Sequence, residues 1–408
     1  MVFDENNQLP LNYFKIFNLG LGFMVVSMIW AAYNAYMPIF LGNFTKSNTL
    51  IGFVMSWDNI ANLFILPVFG ALSDNTRTSI GRRMPYILIG MPVAGILYAM
   101  LPLQTKLWAL LIVDLMFNIV VASYRTPLVA LMPDIVEEQH RSKANGVINF
   151  MGGLGALIIF FIGSQLYKLN KAYPFFLSGI LSIIVPVILF LTIKEPKSFV
   201  IEERKEKQSI IKALITVVRD EDRAPFYTLL SIFMMIAGFA AVETFFTRYC
   251  KIALGIDESV SSFTMGFYAL AFLIFALPAG FIASKIGKRK TMMIGAFGQA
   301  ILFLIFMVVK DFRIIQILMP FAGIFNALFT INSYPLVVSY TSSEKIGTYT
   351  GLYYFFSSLA AIVTPSTFGA IMDYIGVNKL FLAASISVFI SFVFLWLIGK
   401  RGEKPEIL

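Results

Sequence analysis

About twelve runs of roughly 20 apolar residues, separated by short polar clusters, follow one another along this chain, and a run of about that length is what a helix needs to cross a bilayer. In hydrocarbon every backbone N–H and C=O has to be paired within the protein, which leaves helices or closed barrels as the only spanning structures. The runs lack the period-two alternation of barrel strands. The expected fold class is therefore an all-α membrane protein with twelve transmembrane helices. Composition agrees: of 408 residues, 58% are hydrophobic and only 13% charged, more apolar side chain than a water-soluble core takes in.

The spans are expected to begin near Asn12, Thr49, Arg83, Lys106, Arg141 and Ala172, and again near Arg223, Glu258, Arg289, Phe312, Glu344 and Val377. This gives an N-terminal six-helix bundle over 1–193, a linker over 194–222 and a C-terminal six-helix bundle over 223–408. Lys197, Glu202, Glu203, Arg204, Lys205, Glu206 and Lys207 keep the linker in water. Its end changes character: Ile210, Ile211, Ala213, Leu214, Val217 and Val218 recur at helical spacing opposite Lys212 and Arg219. That pattern fits an amphipathic helix on the membrane interface or, equally, a solvated connector.

The net charge of +9 is distributed as membrane topology requires. With Met1 inside, Arg77, Arg82, Arg83, Arg141, Lys143, Lys285, Lys288, Arg289, Lys290, Lys400 and Arg401 all fall on the cytoplasmic side, against scattered bases such as Lys46, Lys106, Lys168, Lys171, Lys310, Arg313 and Lys379 opposite. The positive-inside rule then places both termini in the cytoplasm of a cell (inner) membrane protein and accounts for the basic charge without nucleic acid. One cysteine, Cys250, and one histidine, His140, supply neither a disulfide nor a Cys/His metal cluster. The first apolar run, about Asn12 to Leu41, is too long for a signal-peptide core.

The halves echo each other after their second spans. Pro67, Gly70, Ser73, Asp74 and Gly81-Arg82-Arg83 correspond to Pro278, Gly280, Ala283, Ser284 and Gly287-Lys288-Arg289-Lys290. Repeated six-helix halves mark transporters that alternate access around a midplane site. Gly70-Ala71-Leu72-Ser73-Asp74 with Gly81-Arg82-Arg83 resembles the major facilitator signature between spans two and three. The resemblance implies the major facilitator fold, two pseudo-symmetric six-helix bundles, with Gly70, Asp74, Gly81, Arg82, Arg83, Asp134 and Arg141 as a cytoplasmic gate. Asp74 would accept hydrogen bonds or face the positive end of another helix, the span beginning near Glu344 being the expected helix partner, and the other reading makes Arg82 and Arg83 topogenic charges only. The second copy has Ser284 in place of the acid, so any latch there is expected to be weaker.

The longer string Ser73 to Tyr86 resembles the same loop in sucrose/proton symporters and in glycoside-pentoside-hexuronide cation symporters. Tyr124-Arg125-Thr126-Pro127, Met132-Pro133-Asp134, Arg141 to Gly146, Ala241 to Phe246 and Gly351 to Tyr354 add to it. Departures from those families bear on the ion. Trp57-Asp58 with Asn62 is similar to a sodium motif whose second acid is here an amide, and Arg125 stands where an acid is expected. A guanidinium there opposes sodium, so the transported cation is expected to be H+. The fourth-span acid of the plant sucrose carriers falls near Asn118, with Asp114 one turn away as a substitute.

Charges inside spans cost on the order of 2.5 to 3.5 kcal/mol and mark hydrated paths. Asp58, Asp114, Arg125 and Glu243 are the candidates for proton or charge coupling. Asp114, Asn118 and Arg125 share one face of the fourth span, expected to line a cavity; Arg125 is expected to pair with Asp58 or bond Asn62. The other reading of Asp58 and Arg125 is a fixed structural salt bridge, and of Asp114 an ordinary position at the extracellular end. Glu243 lies in an apolar run and leads as proton carrier, with a neutral hydrogen-bonding acid as the other reading. Trp30, Tyr33, Asn34, Asn62, Asn118, Asn149, Tyr268, Asn326, Asn332, Tyr334, Tyr353 and Ser357 form the expected substrate lining. Amides pair sugar hydroxyls and aromatic faces pack on sugar C–H groups. The expected function is proton-coupled symport of a glucoside or disaccharide by a monomer in the lipid bilayer, without cofactor or metal and not as an enzyme. A same-fold carrier of a lysolipid, drug or organic acid, and a non-transporting sensor, are the alternatives.

Overall fold

The structure, a computed structural model, describes residues 12–195, 223–340 and 346–399. Twelve helices in it are long and apolar enough to cross a membrane: α1 (Tyr13–Gly42), α2 (Asn48–Asn75), α3 (Met84–Leu103), α4 (Leu107–Ile135), α5 (Glu138–Leu169), α6 (Tyr173–Thr192), α7 (Ala224–Ala253), α8 (Glu258–Ile286), α9 (Lys288–Val308), α10 (Phe312–Val338), α11 (Ile346–Ile375) and α12 (Val377–Leu397). The all-α, twelve-span expectation is met, with most starts within one or two residues of those read from the sequence. The amphipathic linker segment, Glu344, Lys400 and Arg401 lie outside the described residues.

Two spans are irregular. A turn at Met55–Ser56 divides α2 into Asn48–Val54 and Trp57–Asn75. In α5, a π-helical stretch at Ile158–Gly163 separates Arg141–Leu157 from Ser164–Leu169. Such π segments loosen the regular ladder and recur at functional positions. Buried hydroxyls are accommodated by bonding back one turn, as Ser178 does to Pro174 O, Ser182 to Ser178 O and Thr228 to Ala224 O; a hydroxyl in hydrocarbon thereby brings its own acceptor.

Packing groups the described residues into two units: 12–30, 61–159 and 171–195 in the first, and 31–60, 160–170, 223–340 and 346–399 in the second. In the first unit, Tyr98 of α3 sits between Phe117 of α4 and Phe175 of α6, ring centroids 5.1 and 4.8 Å away, and donates its hydroxyl hydrogen to Ile29 O of α1 at 2.8 Å. In the second, Phe381 of α12 is ringed by Phe246, Tyr249, Phe303 and Phe306, and Ser231 of α7 meets Ser391 of α12 at 2.8 Å. Leu277, Phe281 and Leu191 remain 71–77% exposed, apolar surface of the kind lipid covers.

Helices approach closely where side chains are absent. A Cβ on Gly95 of α3 would come within 2.7 Å of Gly179 O and Ser182 Cβ of α6, so the two backbones touch there as small-residue contacts in membranes allow. Gly95→Ala is expected to overpack this contact and destabilise by about 1–3 kcal/mol, a loss visible as a lower melting temperature in detergent. Gly146→Ala, where nothing lies within 4 Å of the new methyl, is the matched control and should leave the melting temperature level or slightly raised.

Candidate functional site

The second unit gathers polar side chains on four spans. α1 presents Asn34 and α7 presents Glu243, and the Asn34 amide Nδ2 donates to Glu243 Oε1 at 3.1 Å. α8 of the same unit presents the hydroxyl of Tyr268. Asn326 of α10 donates from Nδ2 to that hydroxyl at 2.5 Å, and Thr330, one turn on, donates to Asn326 Oδ1 at 3.1 Å. The Tyr268 ring stacks on Phe239 and Phe272, centroids 5.3 and 6.3 Å away and planes within 26° and 25°. The unit thus holds an ionisable acid bonded to an amide, and a tyrosine, amide and threonine bonded in series and bracketed by aromatic faces. Asn34, Glu243, Tyr268 and Asn326 were all among the residues expected to act.

A second group joins α10 and α11. The Tyr334 and Tyr353 rings meet edge to face at 5.4 Å, Tyr334 OH lies 3.0 Å from Thr350 Oγ1 and Ser333 Oγ 3.3 Å from Tyr353 OH. Ser357 donates back to Tyr353 O at 2.8 Å. Asn332 is placed differently: its Nδ2 donates to Ala279 O of α8 and Leu328 O, which ties α8 to α10 within a cluster around Ala279, Ala327 and Leu328.

Among the first-unit candidates, Asp114 and Asn118 are 0% and 1% exposed. The Asn118 amide donates to Asp114 O one turn back. Both are therefore buried in this structure. Arg125, further along α4, is half-buried and has no carboxylate in ion-pair distance among the described residues. Trp30 packs on Phe117 at 6.1 Å, Asn62 is half-buried and Asn149 is exposed. In the second unit, Tyr33 is buried, and Asp58 accepts from the Asn59 amide at 2.8 Å.

The loop after α2 forms a dense ionic network within the first unit. Arg82 Nη2 and Arg83 Nε reach the two oxygens of Asp134, at the end of α4, at 2.5 and 3.0 Å. Arg83 also contacts Asp74 at 2.5 Å and Ser73 Oγ at 2.5 Å. Of the two roles expected for Asp74, it takes the acceptor's here, bonded by Arg83 of its own loop. Glu195, which follows α6 and was assigned to the linker, accepts the backbone N–H groups of Arg82, Arg83 and Met84 at 2.7–3.1 Å. Gly81 makes this possible: its φ is +114°, and a side chain there would collide with the Glu195 carboxylate. The second copy keeps the geometry without the acid. Gly287 has φ +95°, and Arg289 donates to Leu395 O of α12 at 2.9 Å. The loop after α2 is thus fastened to a residue that follows α6, and the start of α9 to α12. A cleft of about 500 Å³ beside the first network is lined by Lys15, Arg141 and Lys194 against Asp134, Glu137 and Glu195, so it offers no net charge to a charged ligand.

Twelve spans, a duplicated loop and an acid buried among amides and aromatics define a helical membrane carrier of small molecules. The family model described as Major Facilitator Superfamily matches residues 19–257 and 228–407, and the chain belongs to that superfamily. It is 25% identical to the isoprimeverose transporter of Lactiplantibacillus pentosus over 68% of this chain and 61% of that protein, so the match spans less than two thirds of the relative's own length. It is 22% identical to multidrug resistance protein 2 of Bacillus subtilis (strain 168) over 90% of both chains. Among solved structures, the nucleoside transporter NupG superposes with a TM-score of 0.74 at 17% identity, covering 96% of this chain and all of that one. A bacterial homolog of the human lysosomal transporter Spinster, inward-facing and occupied, reaches 0.78 at 13% identity, covering 96% and 97%. These structures share the fold.

Asp134→Asn is expected to leave two guanidinium groups with half their acceptor capacity. Charge-assisted bonds of this kind contribute about 1.5–3 kcal/mol each when buried, and partial exposure lowers the figure here. The melting temperature in detergent should fall by more than it does for Arg141→Ala, whose recorded bond is a 3.3 Å contact to Pro133 O on the surface.

Proposed function

We propose that the protein takes up a sugar, a glucoside or disaccharide, together with a proton, by alternating access of its two halves across the cell membrane. The observation that carries this reading is the Asn34–Glu243 bond together with the Tyr268–Asn326 bond in the same unit, with Phe239 and Phe272 flanking the tyrosine. A charged Glu243 draws donors toward it, the Asn34 amide among them. A protonated Glu243 gives up the charge-assisted part of those bonds, and the tie between α1 and α7 weakens. Proton loading thereby changes how firmly residues 31–60 are held in the second unit, which is the link a symporter needs between ion and conformation. Amides and hydroxyls beside stacked rings suit a sugar, whose hydroxyls need paired partners and whose C–H faces need an apolar plane. The likeness to an isoprimeverose transporter and the loop resemblance to sugar symporters support the same cargo class.

A second reading, transport of a drug, is favoured by the match over 90% of both chains to a multidrug resistance protein. A screen of mono- and disaccharide uptake in proteoliposomes, with and without a pH gradient, separates the two. Gradient-dependent sugar accumulation supports the first; drug extrusion without sugar uptake would replace it.

Glu243→Gln tests the coupling residue. One pH unit supports up to about tenfold accumulation per co-transported proton. The variant is expected to bring internal sugar only to the external level while still exchanging sugar across the membrane. Accumulation at the parent level would remove Glu243 from the mechanism.

A further inference from the structure

At the α1–α2 end of the second unit, one carboxylate collects five hydrogen bonds. Asp373, two residues before the end of α11, accepts from Asn48 N and Asn48 Nδ2 on Oδ1, both at 2.8 Å, and from Thr49 N, Thr49 Oγ1 and Ser47 Oγ on Oδ2 at 2.9, 2.7 and 3.2 Å. The two backbone donors open α2 and have no helical carbonyl to take them. The remaining side of the Asn48 amide is also engaged: Arg248 of α7 donates from Nε to Asn48 Oδ1 at 2.7 Å, with both residues under 10% exposed. The backbones themselves meet alongside. A Cβ on Gly52 would run into the Pro365 backbone of α11, one on Gly369 into the Asn48 backbone, and one on Gly42 into the Arg248 guanidinium.

The chain path turns this contact into a device. Residues 31–60 pack in the second unit, yet they continue at both ends, through α1 and α2, into residues that pack in the first. A carrier that opens this end has to withdraw residues 31–60 from α7 and α11, and the Asp373 bonds are in the way. We propose that Asp373 is the latch holding this end of the carrier shut, with Asn48 transmitting the hold to Arg248. The Arg82–Arg83 network lies at the other end of α2, and its ion pairs to Asp74 and Asp134 fall within the first unit. The hold depends on charge. A carboxylate offers acceptors on both oxygens, whereas an amide of the same shape points two N–H groups at donors. The proposal rests on membership of a carrier superfamily and not on the identity of the cargo.

The test is a distance measurement without any solute. In a Cys250→Ser background, spin labels at Lys46→Cys and Tyr374→Cys, both exposed positions, report across the contact in lipid nanodiscs by pulsed electron resonance. The parent should give one dominant short distance. Asp373→Asn is expected to raise the long-distance population about tenfold, as loss of charge-assisted bonds implies, and Thr49→Val, which removes one hydroxyl donor, should move it the same way by less. A folded Asp373→Asn protein with the parent's distance distribution would overturn the latch. Should Asp373→Asn fail to elute as a folded protein, Thr49→Val combined with Ser47→Ala decides: a shift supports the latch and an unchanged distribution overturns it. Because no sugar or gradient is present, a failed latch is distinguishable from a wrong cargo.

Discussion

A peptide group inside hydrocarbon finds no water to bond, and the structure follows from that shortage. Twelve helices close their own ladders, and serines and threonines bond back along them. Several of the polar side chains that remain are drawn to partners: Asn34 to Glu243, Asn326 to Tyr268, Asn332 to Ala279 O. Even the irregular places obey the rule. The donors exposed where α2 begins are taken by Asp373, and those after the α2–α3 turn are taken by Glu195.

Charge is therefore concentrated, and each concentration holds something together. The Arg82, Arg83, Asp74, Asp134 and Glu195 network locks the α2–α3 loop to the ends of α4 and α6. Arg289 and Leu395 O repeat the arrangement with a backbone acceptor in place of the carboxylates. The repetition is physical as well as textual: Gly81 and Gly287 both take a positive φ that a side chain would disfavour, which turns the chain so that the basic residues face their own half. An ionic cluster closed within one unit stiffens that unit, whereas bonds that reach residues 31–60 bear on a segment which the chain shares between the two.

The sharing is visible in where the units divide. Three boundaries fall within α1, α2 and α5, a few residues after the Met55–Ser56 turn in α2 and inside the π-helical stretch of α5, and another falls between α5 and α6. Irregular helical geometry at a boundary lets the segments on either side follow different neighbours without breaking the span. Under the proposed mechanism, Glu243 and Asp373 act on the same segment from two heights, one through a proton and one through a fixed charge.

The sequence by itself determined the solvent, the number of spans, their limits to within a few residues, and the duplicated loop, because hydropathy and helical rise are local properties that any neighbour leaves unchanged. It also named Asn34, Glu243, Tyr268 and Asn326, since a polar group in an apolar run stands out whatever it touches. Only the tertiary structure decided which of the marked residues meet. Periodicity gave Asp114, Asn118 and Arg125 a common face, but not whether another helix covers it, and the first two proved buried. Glu195 and Asp373 passed unremarked because an acid at the edge of an apolar run is where solvation alone would put one. Their importance lies in unpaired N–H groups distant in sequence, and such pairings exist only once the helices have packed.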